Sequence, residues 1–156
     1  MEVEGAQSGN FHGDGLTGKS AKPTDIVVHT IDFELSAPTD ARTGMIAGKT
    51  SYKPLVITHD VGASTTQFLT ATARNETLKK VTLTFWKAGL RDKNGMVSGE
   101  AKEYVIVLED GHVSSVRQYT EESRLLEEVA FTYRKITMTY VNGGYTFADA
   151  SMAGSQ

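Results

Sequence analysis

The chain has 156 residues, with 16 Lys and Arg against 19 Asp and Glu for a net charge of −3, and no cysteine. That length suits one domain of ordinary size. The absence of cysteine excludes disulfides, thiol catalysis and Cys-ligated zinc, and the balanced charge, with no face rich in Lys and Arg, argues against a nucleic-acid partner. The first thirty residues are polar and Gly-rich, without the apolar stretch of a signal peptide. No segment approaches the ~18 apolar residues of a membrane-spanning helix. The expectation is a single domain over residues 1–156, soluble, made in the cytoplasm and not inserted in a membrane.

The elements follow in chain order. Residues 1–24 form a Gly-rich segment in which only Val3 suggests a short strand. From Ile26, the odd positions Val27, Ile31, Phe33 and Leu35 face Thr30, Asp32 and Glu34, the two-residue period of a strand buried on one side. Residues 37–51 break every pattern and contain Pro38, Gly44 and Gly48. A connection this long is usually functional. A second strand covers 52–58, with Pro54 near its start or at an edge. Ser64 and Gln67 have the spacing of a capping box, and Phe68, Leu69, Thr72 and Ala73 follow at helical spacing for about three turns.

Everything after Asn75 reads as strand. Val81, Leu83 and Phe85 alternate with Lys80, Thr82 and Thr84. Residues 104–108 are apolar on both faces. Asp110-Gly111 is a turn signal, and 112–119 forms the next strand. Within 128–141 the apolar phase moves from odd (Val129, Phe131, Tyr133) to even (Ile136, Met138, Tyr140), which predicts a bulge or corner near Arg134 and Lys135. Asn142-Gly143-Gly144 then turns into a last strand at 145–147. The predicted fold is all-β and mainly antiparallel, a β-barrel of roughly seven to nine strands with one short α-helix.

Chemistry-bearing motifs are weak. Gly13 to Ser20, GDGLTGKS, matches the phosphate-loop pattern at every fixed position, with Lys19 as the cation and Ser20 as the magnesium ligand. Such a loop must leave a buried strand and open a helix, but residues 1–12 lack the strand and Pro23 stops the helix. A chance match in a Gly-rich segment explains it better. His12, His29, His59 and His112 are too dispersed for a metal site. His29 lies on the strand face opposite Asp32 and Glu34, and Ser114-Ser115 lacks a nucleophile elbow. No catalytic, cofactor-binding or metal-binding residue is assigned.

Surplus apolar surface is the stronger signal. Trp86 falls on the polar side of its strand, where it either covers surface or is buried by a neighbouring chain. Residues 104–108 offer two apolar faces, and a barrel core takes one of them. In the long loop, Met45 and Ile46 sit together between Gly44 and Gly48, flanked by Arg42 and Lys49. Arg42, Met45, Ile46, Lys49 and Trp86 are therefore the candidate subunit-interface residues, with Glu121 and Glu122 as acids for the two cations to meet. A homo-oligomer accounts for this surface economically.

Two blocks carry a family resemblance. KPLVITHDVGASTTQFLTA, residues 53–71, resembles the strand-then-helix segment of the haemolysin-coregulated protein (Hcp) family of type VI secretion, with His59, Gly62 and Thr66 where Lys, Asp and Pro are usual. VSSVRQYTEES (113–123) and LEEVAFTYRKITMTY (126–140) resemble the family's closing strands, with Met138 where Trp is usual. The resemblance covers residue 25 to about residue 151. It implies a tube protein without catalytic residues or cofactors, a homo-hexamer whose rings stack into a tube. Its implied partners are a contractile sheath, a spike protein of the VgrG type and effector cargo in the lumen. Assembly in the cytoplasm and export without a signal peptide are implied too. The competing classes are a monomeric ligand-binding barrel with an apolar interior cavity and a nucleotide-binding protein using GDGLTGKS. For the last of these, calorimetric titration with magnesium-ATP is predicted to show no binding, and Lys19→Ala no loss of assembly.

Overall fold

The alternating segments of the second half pair with one another to form most of the structure. The computed structural model describes residues 1–15, 22–88 and 100–150. Its first strands are β1 (Glu2–Gly5), β2 (Gly9–Asn10), β3 (Thr30–Asp32), β4 (Leu35–Ser36), β5 (Ser51–Tyr52) and β6 (Leu55–Asp60). The helix α1 (Thr65–Ala73) is followed by β7 (Leu78–Ala88), β8 (Glu100–Glu121), β9 (Arg124–Thr132), β10 (Lys135–Tyr140) and β11 (Tyr145–Asp149). Antiparallel neighbours run β2-β1-β7-β8-β9-β6-β3, with β10 between β8 and β11, while β4 and β5 make a separate ribbon. The all-β, mainly antiparallel class with one helix stands. Among the described residues no ladder joins the ends of that path into a ring.

β8 is 22 residues long and serves two half-sheets. Its first half pairs with β7 and β10, and its second half with β9. Asp110-Gly111, predicted as a hairpin turn, instead lies inside this strand. Asp110 takes φ 51°, and a Cβ on Gly111 would sit 2.4 Å from the Thr132 carbonyl oxygen. A hairpin would have folded the two apolar halves onto each other. The bend sends them to different partners. The actual hairpin follows at Glu121↔Arg124, with Glu122 at φ 46° and Ser123 at φ 64°. This two-residue turn takes positive φ without glycine or asparagine, so sequence offers no signal for it.

The phase change near Arg134 is a corner. Val129, Phe131 and Tyr133 are buried on one side of it and Ile136 on the other, and there the chain leaves the β6–β9 half for the β8–β10 half. Three other expectations are corrected. The strand from Ile26 shrinks to β3 and β4, and it is Ile26 that is buried, while Val27 and Leu35 are exposed; among the described residues β3 has a partner, β6, on one side only. The capping box does not form. Ser64 makes no side-chain cap bond, Gln67 Oε1 accepts from the His12 amide at 2.7 Å, and Thr65 Oγ1 accepts from the Gly62 amide at 3.0 Å. The buried stripe of α1 is Thr65, Phe68 and Ala71, with Leu69 exposed.

Phe68 centres the core, with ring centroids 5.1 Å from Phe11, 6.0 Å from Phe131 and 5.5 Å from His59. The β1–β2 turn is pinned from below by buried Glu76, which accepts from the Gln7 amide (2.8 Å), the Ser8 amide (2.7 Å) and the Ser8 hydroxyl (2.6 Å). Burial pushes the Glu76 carboxyl up, and these donors more than offset it, leaving it below the usual carboxylate range. Because the Gly111 contact is with backbone, Gly111→Ala is predicted to cost about 1–3 kcal/mol in chemical denaturation.

Candidate functional site

The long loop is an ordered arm. Its base is the β4–β5 ribbon, tied by the Glu34–Lys53 ion pair at 2.6 Å. Its tip is closed by the Thr39↔Ile46 bridge and by Asp40, whose Oδ1 accepts from the amides of Arg42 (2.7 Å) and Thr43 (3.1 Å). The Asp40 amide donates to the Met45 carbonyl at 2.8 Å, and Gly44 (φ 69°) and Gly48 (φ 140°) supply the left-handed turns. The segment that breaks every sequence pattern is therefore a hairpin. Short polar side chains and glycines build this hairpin without strand periodicity. Met45 and Ile46 are each 70% exposed at its end. Arg42 and Lys49 are exposed and make no ion pair among the described residues.

A second apolar surface comes from strand register. The core face of β7, β8, β10 and β11 is ordered in cross-strand rows. Val81, Leu108 and Ile136 form a fully buried row. The next is Leu83, Ile106, Met138 and Phe147, ending at Phe147, which is exposed. The last is Phe85, Tyr104, Tyr140 and Tyr145, in which exposure rises to 73% at Tyr145. Trp86 lies apart from it. At the bulge between Phe85 and Trp86 the extra residue, Glu103, is in β8, so β7 keeps its alternation and Trp86 stays on the face opposite Phe85, across from Lys102. Lys102 Nζ lies 5.6 Å from the Trp86 ring centroid. Tyr140, Tyr145 and Phe147 were missed, although the Asn142-Gly143-Gly144 turn sets their register.

The remaining motifs do not assemble an active site. Lys19 and Ser20 lie outside the described residues. The amides of Gly13 and Asp14 are committed to the carbonyls of Pro23 (2.8 Å) and Asp25 (2.9 Å). His29 Nε2 meets Asp60 at 2.8 Å, and Arg124 meets the same carboxylate at 2.8 Å. The His29 hydrogen bond, with Arg124 beside it, holds the Asp60 carboxyl below its usual range. Among the described residues no three His, Asp or Glu side chains converge as metal ligands. His59, Glu127 and Ser64 form a buried polar cluster, but none has exposed surface through which a substrate could reach it. A shallow groove of about 270 Å³ lies on the outer face of β3, β6 and β9, lined by Asp32, Glu34, Val56, Ser114 and Ala130. It is not the apolar interior cavity of a ligand-binding barrel.

Comparison with known proteins bears on this geometry. Residues 1–140 match the family described as "Type VI secretion system effector, Hcp". A protein named "Major exported protein" from Pseudomonas aeruginosa is 26% identical over 164 residues, covering 96% of this chain and 92% of that protein. Among solved structures, one titled "Crystal structure of Hcp protein" superposes with a TM-score of 0.83 at 19% identity, covering 96% of both chains. Hcp1 from E. coli EAEC 042 superposes at 0.80 with 24% identity, covering 96% of this chain and 95% of that one.

Because the hydrogen bonds of Asp40 run to Arg42, Thr43, Gly44 and Met45 within the arm, Asp40→Ala is predicted to change global stability by less than about 0.5 kcal/mol. Limited proteolysis of the same variant should cut faster within residues 38–47.

Proposed function

Since this chain belongs to the Hcp family of type VI secretion system effectors, with residues 1–140 matched, we propose that it is the structural tube protein of such a system, all of 1–156 forming one tube domain. Six copies close into a ring, and rings stack into a tube. The tube is assembled in the cytoplasm inside a contractile sheath, capped by a VgrG-type spike, and exported with effector cargo in its lumen. The protein has no catalytic role. It binds no cofactor or nucleic acid and does not insert in a membrane.

The observation that carries this reading is the aromatic end of the β7–β8–β10–β11 face. A monomer gains nothing from extending its core face into water through Phe85, Tyr104, Tyr140, Tyr145 and Phe147. Surface of this kind marks an interaction site. The arm supplies a second, separate patch at Met45 and Ile46. Two different patches on one molecule support head-to-tail contacts, which close into rings or continue as filaments. Full burial of each tip residue contributes about 1.5–3 kcal/mol, repeated at every contact. Arg42 and Lys49 approach acids such as Glu121 and Glu122 of the next copy, and Trp86 is covered by a neighbouring copy.

Light scattering on the purified protein should give six times the 16.9 kDa chain mass, and negative-stain microscopy should show rings. Met45→Asp with Ile46→Asp, and separately Tyr145→Asp with Phe147→Asp, should keep β-type circular dichroism and weaken ring formation or stacking. A monomer at micromolar concentration sinks the ring. Unchanged rings and tubes in both double variants sink the assigned surfaces.

A further inference from the structure

The core face of β6, β9 and β8 ends in polar residues. Two apolar rows come first, Leu55 with Phe131 and Val113, then Ile57 with Val129 and Val116. The third is His59, Glu127 and Gln118. His59 and Glu127 have no exposed surface, and Nε2 lies 3.0 Å from Oε1. The Gln118 amide donates to the other Glu127 oxygen at 2.9 Å. The first turn of α1 covers the pair. Phe68 packs edge-on against the imidazole, and Ser64 is fully buried beside Thr65. Among the described residues neither His59 Nδ1 nor Ser64 Oγ has a hydrogen-bond partner, and both are buried. The helix therefore rests on a buried polar pair that the sheet holds through Gln118.

We propose that the His59–Glu127 pair is an acid-operated latch, which holds α1 on the sheet while Glu127 is charged and releases it when Glu127 takes a proton. The physical basis is the cost of a buried polar group without its partner. As a carboxylate, Glu127 offers one oxygen to Nε2 of His59 and the other to the Gln118 amide. A proton on the carboxyl turns one of these acceptors into a donor and leaves a buried donor unpaired, which is destabilising.

No other charged side chain replaces Glu127. Asp60 on β6 is bound to His29 and Arg124. Glu128 on β9 is bound to Arg117 of β8. Both alternate to the opposite strand face. On α1 the first turn has no acid and the last turn no base. Burial acts to raise the Glu127 carboxyl, but the hydrogen bonds from His59 and Gln118 and the His59 charge leave it below the usual range. A carboxyl depressed in the fold stabilises it above the ordinary carboxylate range, and that contribution is lost as pH falls through the folded value. The release is thus at the acid end. It is local, because the β1–β7–β8–β10 half lacks this pair.

The chain contains no cysteine, so one introduced thiol reports one place. Ala71 is on the buried face of α1 and Val81 in the core of β7, each 1% exposed. Ala71→Cys and Val81→Cys, in the full chain, are titrated with a dipyridyl disulfide, which reacts with thiols in acid. Between pH ~5.5 and ~3.5 the thiol at position 71 should gain about tenfold in labelling rate, and that at 81 less than about twofold. Adding Glu127→Gln should abolish the step, because no carboxyl remains to take the proton. Adding Gln118→Ala, which removes one of the donors that hold the carboxyl down, should move the step to higher pH. Joint labelling of both thiols, or an unchanged step in Glu127→Gln or Gln118→Ala, overturns the latch. Circular dichroism at pH 7 identifies any variant that does not fold, and Gln118→Ala, at an exposed position, decides the matter without Glu127→Gln.

Discussion

The path of β8 is the constraint on which the rest of the structure depends. One strand of 22 residues contributes edges to both half-sheets, so its bend at Asp110-Gly111 sets the angle between them. Gly111 allows the bend because β9 passes too close for any side chain. Once β8 turns, β9 must follow its second half and β10 must return along its first, which places the corner at Tyr133 and Arg134. The double-faced apolar run in β8 follows from the same geometry. Ile106 and Leu108 are buried in the core, while Val105 and Val107 are half-buried among threonines of β7 and β10.

Polar groups at the edges of the core serve as fasteners. Glu76 holds the β1–β2 turn through three donors, and the His59–Glu127 pair underlies the first turn of α1. Each is a buried carboxylate whose removal leaves donors unpaired, a larger penalty than the net worth of the bonds themselves. They differ in what surrounds them. Glu76 is held by the backbone amides and hydroxyl of one turn, and Glu127 by side chains from two other strands.

Belonging to the Hcp family gives the exposed apolar surfaces a physical context. The arm and the aromatic rows are both built on rigid backbone, the arm by its Asp40 turn and the rows by continuous ladders. Surfaces fixed in this way lose little conformational entropy on association, so more of the burial energy remains for assembly. Lys102 over Trp86 shows how an uncovered aromatic is kept soluble beforehand.

Much of this was legible in the sequence. Two-residue alternation gave the strands after Asn75, the phase slip at Arg134 gave the corner, and Asn142-Gly143-Gly144 gave the last hairpin, because side-chain period, face and turn chemistry are local properties. The exposed Met45–Ile46 pair was visible because neighbours in sequence stay neighbours in space. Local signals failed where a distant group decided the outcome. Asp110-Gly111 carries turn chemistry, but pairing with β7, β9 and β10 keeps it as a bend inside one strand. Ser64 and Gln67 have capping spacing, but the His12 amide takes the Gln67 oxygen. The arm is ordered by backbone bonds that no periodicity reveals. The aromatic row joins Phe85, Tyr104, Tyr140 and Tyr145, and the latch joins His59 to Glu127, 68 positions apart. The sequence determined the apolar faces of the strands after Asn75 and the place of the last hairpin. Tertiary structure alone decided which of those faces meet, because register between strands is set by the whole sheet and by no single segment of it.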